Sequence, residues 1–246
     1  MVLLLAIGRV ALAQSAAAHV ALGDKERDAR NPTAALKQYE AALAVDSIDY
    51  DALRNAAYEC VELGEFDSNA EHRTALYRSA EQYARRAVAA NPRDADGHFQ
   101  LAQALGRNAL TMGVRDKIKL ASEIRNEALA ALAIDPKHSG ALHVMGVWNA
   151  EIMRLNGLSR AIARHFLGGK VFDAANWDDA QKYLEAAVAA DSLRIVHRLD
   201  LAEVYADRNQ RAKAIEQYEW IARAPVTNYN DPNYKADAMR RLTALR

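Results

Sequence analysis

The same short helix is written five times along this chain, and that repeat constrains the fold more than any other feature of the sequence. Each copy runs from a small residue, over three variable positions, to a packing residue, then over two more to a last apolar residue. The first four close at Asp or Asn followed by Pro or Ser. Ala35, Tyr39, Ala42 and Asp46-Ser47 form the first copy, and Ala80, Ala84, Ala87 and Asn91-Pro92 the second. Ala128, Ala131 and Asp135-Pro136 form the third, with Ile124 at the first position. Ala180, Leu184, Ala187 and Asp191-Ser192 form the fourth; Ala214, Tyr218 and Ile221, closed by Pro225, form the fifth. Positions three and four apart share one helix face, so small side chains there let a neighbouring helix approach closely. The Asp-Pro and Asp-Ser steps predict a helix stop followed by a new helix, with proline in its first turn.

A partner helix precedes each copy, around Leu22-Gly23, Leu53 to Cys60, Phe99 to Leu105, Leu142 to Trp148 and Leu199 to Tyr205. Leu201-Ala202-x2-Tyr205 followed by Ala214-x3-Tyr218 resembles the tetratricopeptide unit, a helix–turn–helix of about 34 residues. Five copies in register predict an all-α, right-handed solenoid of tetratricopeptide-like helical hairpins, at about 16–49, 50–93, 94–137, 138–193 and 194–228. Asn230-Asp231-Pro232 opens a further helix over 230–246, whose Ala238, Leu242 and Leu245 suit a cap on the open end of the array. Pairs two and three carry about ten or eleven extra residues each, close to three helical turns, which lengthens a helix without rotating its apolar face. Pair four carries roughly twice that, between Met153 and Trp177. The scarcity of glycine (11) and proline (5) argues against the many tight turns of an all-β fold.

Some stretches point to one family. Ala84 to Ala95 (Ala-Arg-Arg-Ala-Val-Ala-Ala-Asn-Pro-Arg-Asp-Ala), Ile134-Asp-Pro-Lys-His138 and His143-Val-Met-Gly-Val-Trp148 resemble the regulator of microtubule dynamics family. Arg160-Ala-Ile-Ala-Arg-His-Phe-Leu167 and Ala180-x2-Tyr183-Leu184-x2-Ala187 are similar too, so the likeness spans roughly 50–225. It implies a tetratricopeptide-like fold with elongated helices and a protein-binding role; eukaryotic members are associated with microtubules and organelle membranes.

No catalytic spacing emerges. Gly168-Gly169-Lys170 ends like a phosphate loop, but Arg164 stands where the first glycine belongs and Val171 replaces Ser or Thr. His138 and His143 are five apart, on different helix faces, and predict no shared metal. Asp178 and Asp179 read as helix-dipole partners, and Arg85-Arg86 as a solvated face. Lys plus Arg and Asp plus Glu are 32 each, and this balance argues against a general nucleic-acid partner. The single cysteine, Cys60, excludes an intrachain disulfide and reads as an inert buried thiol. The reading is therefore a scaffold, not an enzyme, with no cofactor and no metal, whose partner is a protein or peptide.

Two surfaces are candidates for binding. In such arrays the first helix of each pair lines the concave wall. Arg54, Tyr58, Gln103, Arg107, Val147, Glu151, Glu203 and Asp207 take the positions that face that groove. Asp24 and Tyr58 stand where carboxylate-clamping tetratricopeptide domains carry polar amides, so that clamp is not reproduced. The second surface is the insertion in pair four, where Leu155, Leu158, Ile162 and Phe166 make an apolar stripe flanked by Arg160, Arg164 and Lys170. A basic amphipathic stripe can lie on an anionic membrane, giving a peripheral tethering adaptor as the alternative function, or fold back on the solenoid. Residues 1–13 have the apolar run and the Ala11-Leu12-Ala13 step of a secretory signal, though no basic segment precedes the run and Arg9 interrupts it. The expectation is export, for instance to a periplasm; the alternative is an ordinary buried helix in a cytoplasmic protein.

Overall fold

In the computed structural model, residues 15–155 and 169–246 are described, and they form eleven α-helices and one 3-10 helix with no strands. The leader-like residues 1–13 and the insertion residues Leu158, Arg160, Ile162, Arg164 and Phe166 lie outside the described residues. The helices are α1 (Ala16–Asp28), α2 (Pro32–Val45), α3 (Tyr50–Glu65), α4 (Ala70–Ala90), α5 (Ala95–Leu110) and α6 (Val114–Ile134). After α7 (Ser139–Arg154) comes the 3-10 turn Gly169–Ala174, then α8 (Trp177–Ala190), α9 (Ile195–Asp207), α10 (Arg211–Arg223) and α11 (Asp231–Leu245). Successive helices pack as antiparallel hairpins and each hairpin stacks on the next, the arrangement of a helical-hairpin solenoid. The extra length of the middle pairs goes into helices: α4 and α6 have 21 residues each, against 14 in α2.

The repeated pattern is the packing face of every second helix. Ala35, Tyr39 and Ala42, then Ala80, Ala84 and Ala87, are fully buried, and so are Ala180, Leu184 and Ala187. Small residues there allow close helix contact, and the large ones fill the space between pairs. Gly146 marks one such close approach on α7: a methyl group added to it would meet Leu184 Cγ at 2.5 Å and the Ala180 carbonyl oxygen at 3.1 Å. The glycine of His-x-Met-Gly-x-Trp is therefore what lets α7 lie against α8.

The Asp/Asn step works differently from the expectation. Pro92 and Pro136 sit in the tight turns between helices, not in the first turn of the next helix, which begins at Ala95 and Ser139. The acidic or amide side chain folds over this turn, so the helix start falls later. Asp46 Oδ1 accepts from the Ile48 N–H at 3.1 Å, Asn91 Oδ1 from Arg93 at 3.3 Å, and Asp135 Oδ1 from Lys137 at 2.9 Å. Such side-chain turns, with proline holding the second position, stop one helix while the next receives a separate cap. Asp49 and Asp94 provide two of those caps, accepting from the Ala52 and Asp96 N–H groups.

The two ends of the array meet. The Asn230 side chain, 1% exposed, donates from Nδ2 to the Glu62 carbonyl at 2.8 Å and to Glu62 Oε2 at 3.1 Å. Arg194 Nη2 reaches Glu62 Oε1 at 3.0 Å, and Arg30 Nη1 donates to the Val226 carbonyl at 2.8 Å. Phe66 and Tyr234 pack edge to face with ring centres 5.2 Å apart. The segment between α10 and α11 is shaped for this contact by Asp231, whose Oδ2 accepts from the Thr227 and Asn228 N–H groups at 2.7 Å each. The two ends of the superhelix thus touch, and the concave side is left as an open-mouthed hollow between them.

Candidate functional site: an inner cavity walled by the first helices

Closure leaves a cavity of about 570 Å³ between α3, α5, α7, α9 and α11. Its wall is mostly apolar, with Val147, Trp148, Ile124, Val196, Leu199 and Phe172 among the lining side chains. Trp148 is 5% exposed, and its Nε1 donates to the Ala121 carbonyl at 2.7 Å, so the ring is both buried and hydrogen-bonded. Phe66 and Leu110, at the ends of α3 and α5, also line the cavity while remaining 45% and 57% exposed, and they mark an apolar rim. Gly106 of α5 faces the space with nothing among the described residues within 4 Å of where a Cβ would stand.

The charged residues of the wall face one another. Arg107 Nη2 lies 2.9 Å from Glu65 Oε2, near enough for an ion pair but not aligned as a hydrogen bond, so Glu65 Oε2 keeps an unfilled lone pair. Burial pushes the Glu65 carboxyl above its ordinary range against the pull of Arg107. Gln103 Oε1 is likewise buried without a donor among the described residues. Arg154 pairs with Glu151 at 2.6 Å, Asp207 at 2.7 Å and Glu203 at 3.3 Å, and Arg241 reaches Glu203 at 2.9 Å and Asp237 at 2.8 Å. Burial, and then Asp200, push the Glu203 carboxyl up to about 7. His143 Nε2 bonds Asp200 Oδ2 at 2.5 Å.

Of the groove residues read from the sequence, Gln103, Arg107, Val147, Glu151 and Glu203 do line this cavity. Asp207 sits on Arg154 beside it. Arg54 and Tyr58 are placed elsewhere. Arg54 is taken up by Asp51 and Asp96, and His138 Nε2 holds the other oxygen of Asp96 at 2.9 Å. Tyr58 lies under the Arg194 guanidinium, 5.8 Å from ring centre to Cζ, in the contact that joins the ends. There Tyr58, Glu59 and Glu62 border a small cavity of about 30 Å³ against Thr227, Asn228 and Tyr229. Asp24, in the clamp position, accepts instead from Tyr39 Oη at 2.8 Å and Asn55 Nδ2 at 3.2 Å. Residues missed from the sequence are Asp200, Asp237 and Tyr234, each on a first helix or the cap and each facing the cavity. For Asp200 the spacing from Glu203 along α9 was the available signal: it is three residues earlier, hence on the same face.

The remaining side chains singled out in the sequence are structural. Cys60 is 1% exposed and burial pushes its thiol up to about 12. Arg85 pairs with Glu81 and Glu123. Asp178 and Asp179 lie in the first turn of α8 behind the Asn176 cap. Among the described residues no cluster of three His, Cys, Asp or Glu side chains could hold a metal, and no helix is long and apolar enough to cross a membrane.

Stacked hairpins with buried alanine faces and an inner wall of first helices define a tetratricopeptide-type solenoid. Residues 9–246 match the family Regulator of microtubule dynamics protein 1-3, and the chain belongs to it. No curated protein sequence matches the chain. Among solved structures it is similar to the tetratricopeptide protein TTC0263 of Thermus thermophilus, at 20% identity and a TM-score of 0.66, over 92% of this chain and 100% of that one. It is also similar to pilF of Pseudomonas aeruginosa, at 16% identity and a TM-score of 0.54, over 94% and 91% of the two chains.

Proposed function

We propose that this chain is a non-catalytic scaffold that takes a segment of a partner protein into the cavity walled by its first helices. The observation that carries this reading is the cavity itself. Its volume of about 570 Å³ is in the range of well-formed ligand sites, its wall is apolar with a few convergent polar groups, and its rim exposes Phe66 and Leu110. A segment entering there buries apolar side chains against Val147 and Leu199, which supplies affinity without chemistry.

Gly106 makes the test direct. A Cβ at Gly106 meets none of the described residues within 4 Å, so Gly106→Phe should keep the thermal midpoint of the fold while its ring blocks the cavity. A photo-crosslinking amino acid placed at Leu110 should capture a partner in extracts of the native host, and capture should disappear in the Gly106→Phe background. Capture that persists unchanged in that background would place partner binding away from the cavity.

A further inference from the structure

The cavity wall offers acceptors in excess of donors. Its described lining holds five carboxylates (Glu65, Glu151, Asp200, Glu203 and Asp237) against three cations (Arg107, Lys117 and Arg154), with Arg241 reaching Glu203 and Asp237 from beside it. Glu65, Asp200 and Glu203 line one and the same cavity, with Asp200 and Glu203 three residues apart on one face of α9. The guanidiniums are shared: Arg154 divides itself among three carboxylates and Arg241 between two. Such a wall prefers an occupant that brings N–H donors over one that brings acceptors, with Glu65 already ion-paired to Arg107 at 2.9 Å. Burial strengthens this preference, since a charge-assisted hydrogen bond is stronger where water is excluded.

Resting on the scaffold reading above, we propose that the occupant of the cavity is a partner segment carrying a lysine or arginine between apolar residues. The cation sits in the acceptor arc that Glu65, Asp200 and Glu203 make on the cavity wall and donates to their carboxylates. The flanking apolar side chains lie on Val147, Leu199 and the Phe66–Leu110 rim. Apolar burial supplies the bulk of the affinity, and the acceptor arc selects a cation over an anion by making a carboxylate face carboxylates.

The test is selection of random twelve-residue peptides on the immobilised full chain, with the lead peptide then measured by fluorescence anisotropy. The expected result is enrichment of Lys or Arg flanked by Leu, Phe or Trp. Replacing that Lys or Arg by norleucine should weaken binding on the order of tenfold, as loss of a charge-assisted hydrogen bond implies. Glu65→Gln with Glu203→Gln should remove the same increment and flatten the salt dependence, checked against an unchanged circular dichroism spectrum. Should that double variant fail to fold, the norleucine comparison on the unaltered chain decides alone. Enrichment of neutral or acidic peptides that Gly106→Phe abolishes would overturn the cationic occupant and leave the scaffold reading standing. No peptide enrichment at all, together with Gly106-sensitive uptake of a fluorescent phospholipid from vesicles, would overturn both.

Discussion

Glu59 is the residue whose environment conflicts most with its chemistry. It is 1% exposed, its Oε1 has no partner among the described residues, and burial followed by the nearby Glu62 pushes its carboxyl from 4.5 up to about 8. The folded state therefore holds a proton that the unfolded chain has already lost, and stability falls as pH rises from about 4.5 to 8. His197 tilts the opposite way. Burial, then His143, push its imidazole from 6.5 down to about 2, so the unfolded chain gains a proton that the fold refuses, and stability falls as pH drops below 6.5. Between these two slopes lies a mildly acidic optimum. Glu59→Gln removes the first slope: its urea midpoint should rise above that of the unaltered chain at pH 9 and nearly coincide with it at pH 5. An equal shift at both pH values would show that Glu59 does not titrate on unfolding.

At the scale of helices, two glycines that look alike in the sequence have opposite roles. Gly146 faces Leu184 at the α7–α8 contact, so Gly146→Ala forces the helices apart and should cost about 1–3 kcal/mol in denaturant unfolding. A Cβ at Gly106 on α5 meets none of the described residues within 4 Å, so Gly106→Ala should instead stabilise by about 1 kcal/mol through helix propensity. Both shifts read from the same denaturation experiment, and reversed signs would mean that the two faces of the array have been exchanged. The contrast shows how far the sequence could be read. The alanine rows identified the packing face of each second helix, because periodicity is local information and survives without coordinates. The same periodicity placed Gln103, Arg107, Val147, Glu151 and Glu203 on the inner wall. It misplaced the turn prolines, since Asp and Asn side-chain turns move the helix start downstream. It could not place Arg54 and Tyr58, whose surroundings come from His138 and Arg194, 84 and 136 residues further along the chain respectively.

At the scale of the whole chain, closure is the property that no repeat contains. An open array is stabilised by each unit and its nearest neighbours, so damage at one end stays there. This array adds a contact between its ends, and long-range closure depends on the summed rotation of every pair, a quantity no local pattern encodes. The contact is specific: the Asn230 amide reaches the Glu62 backbone carbonyl and side chain, with Arg194 on the other carboxylate oxygen and Arg30 on Val226. Asn230→Ala takes away a buried donor from two acceptors and should destabilise by about 1–3 kcal/mol. The informative measurement is where the loosening appears. Hydrogen exchange should quicken at the start of α11 and, in the same variant, along Glu59 to Gly64 of α3, because both sides of the contact lose their partner together. Faster exchange confined to α10 and α11 would mean that the ends touch without sharing stability, and the chain would then behave as an ordinary open solenoid. Coupled loosening would also reach the cavity, since Phe66 and Tyr234 belong both to its wall and to the closing contact. The lead peptide of the cavity should consequently bind Asn230→Ala more weakly, although Asn230 lines no part of the site.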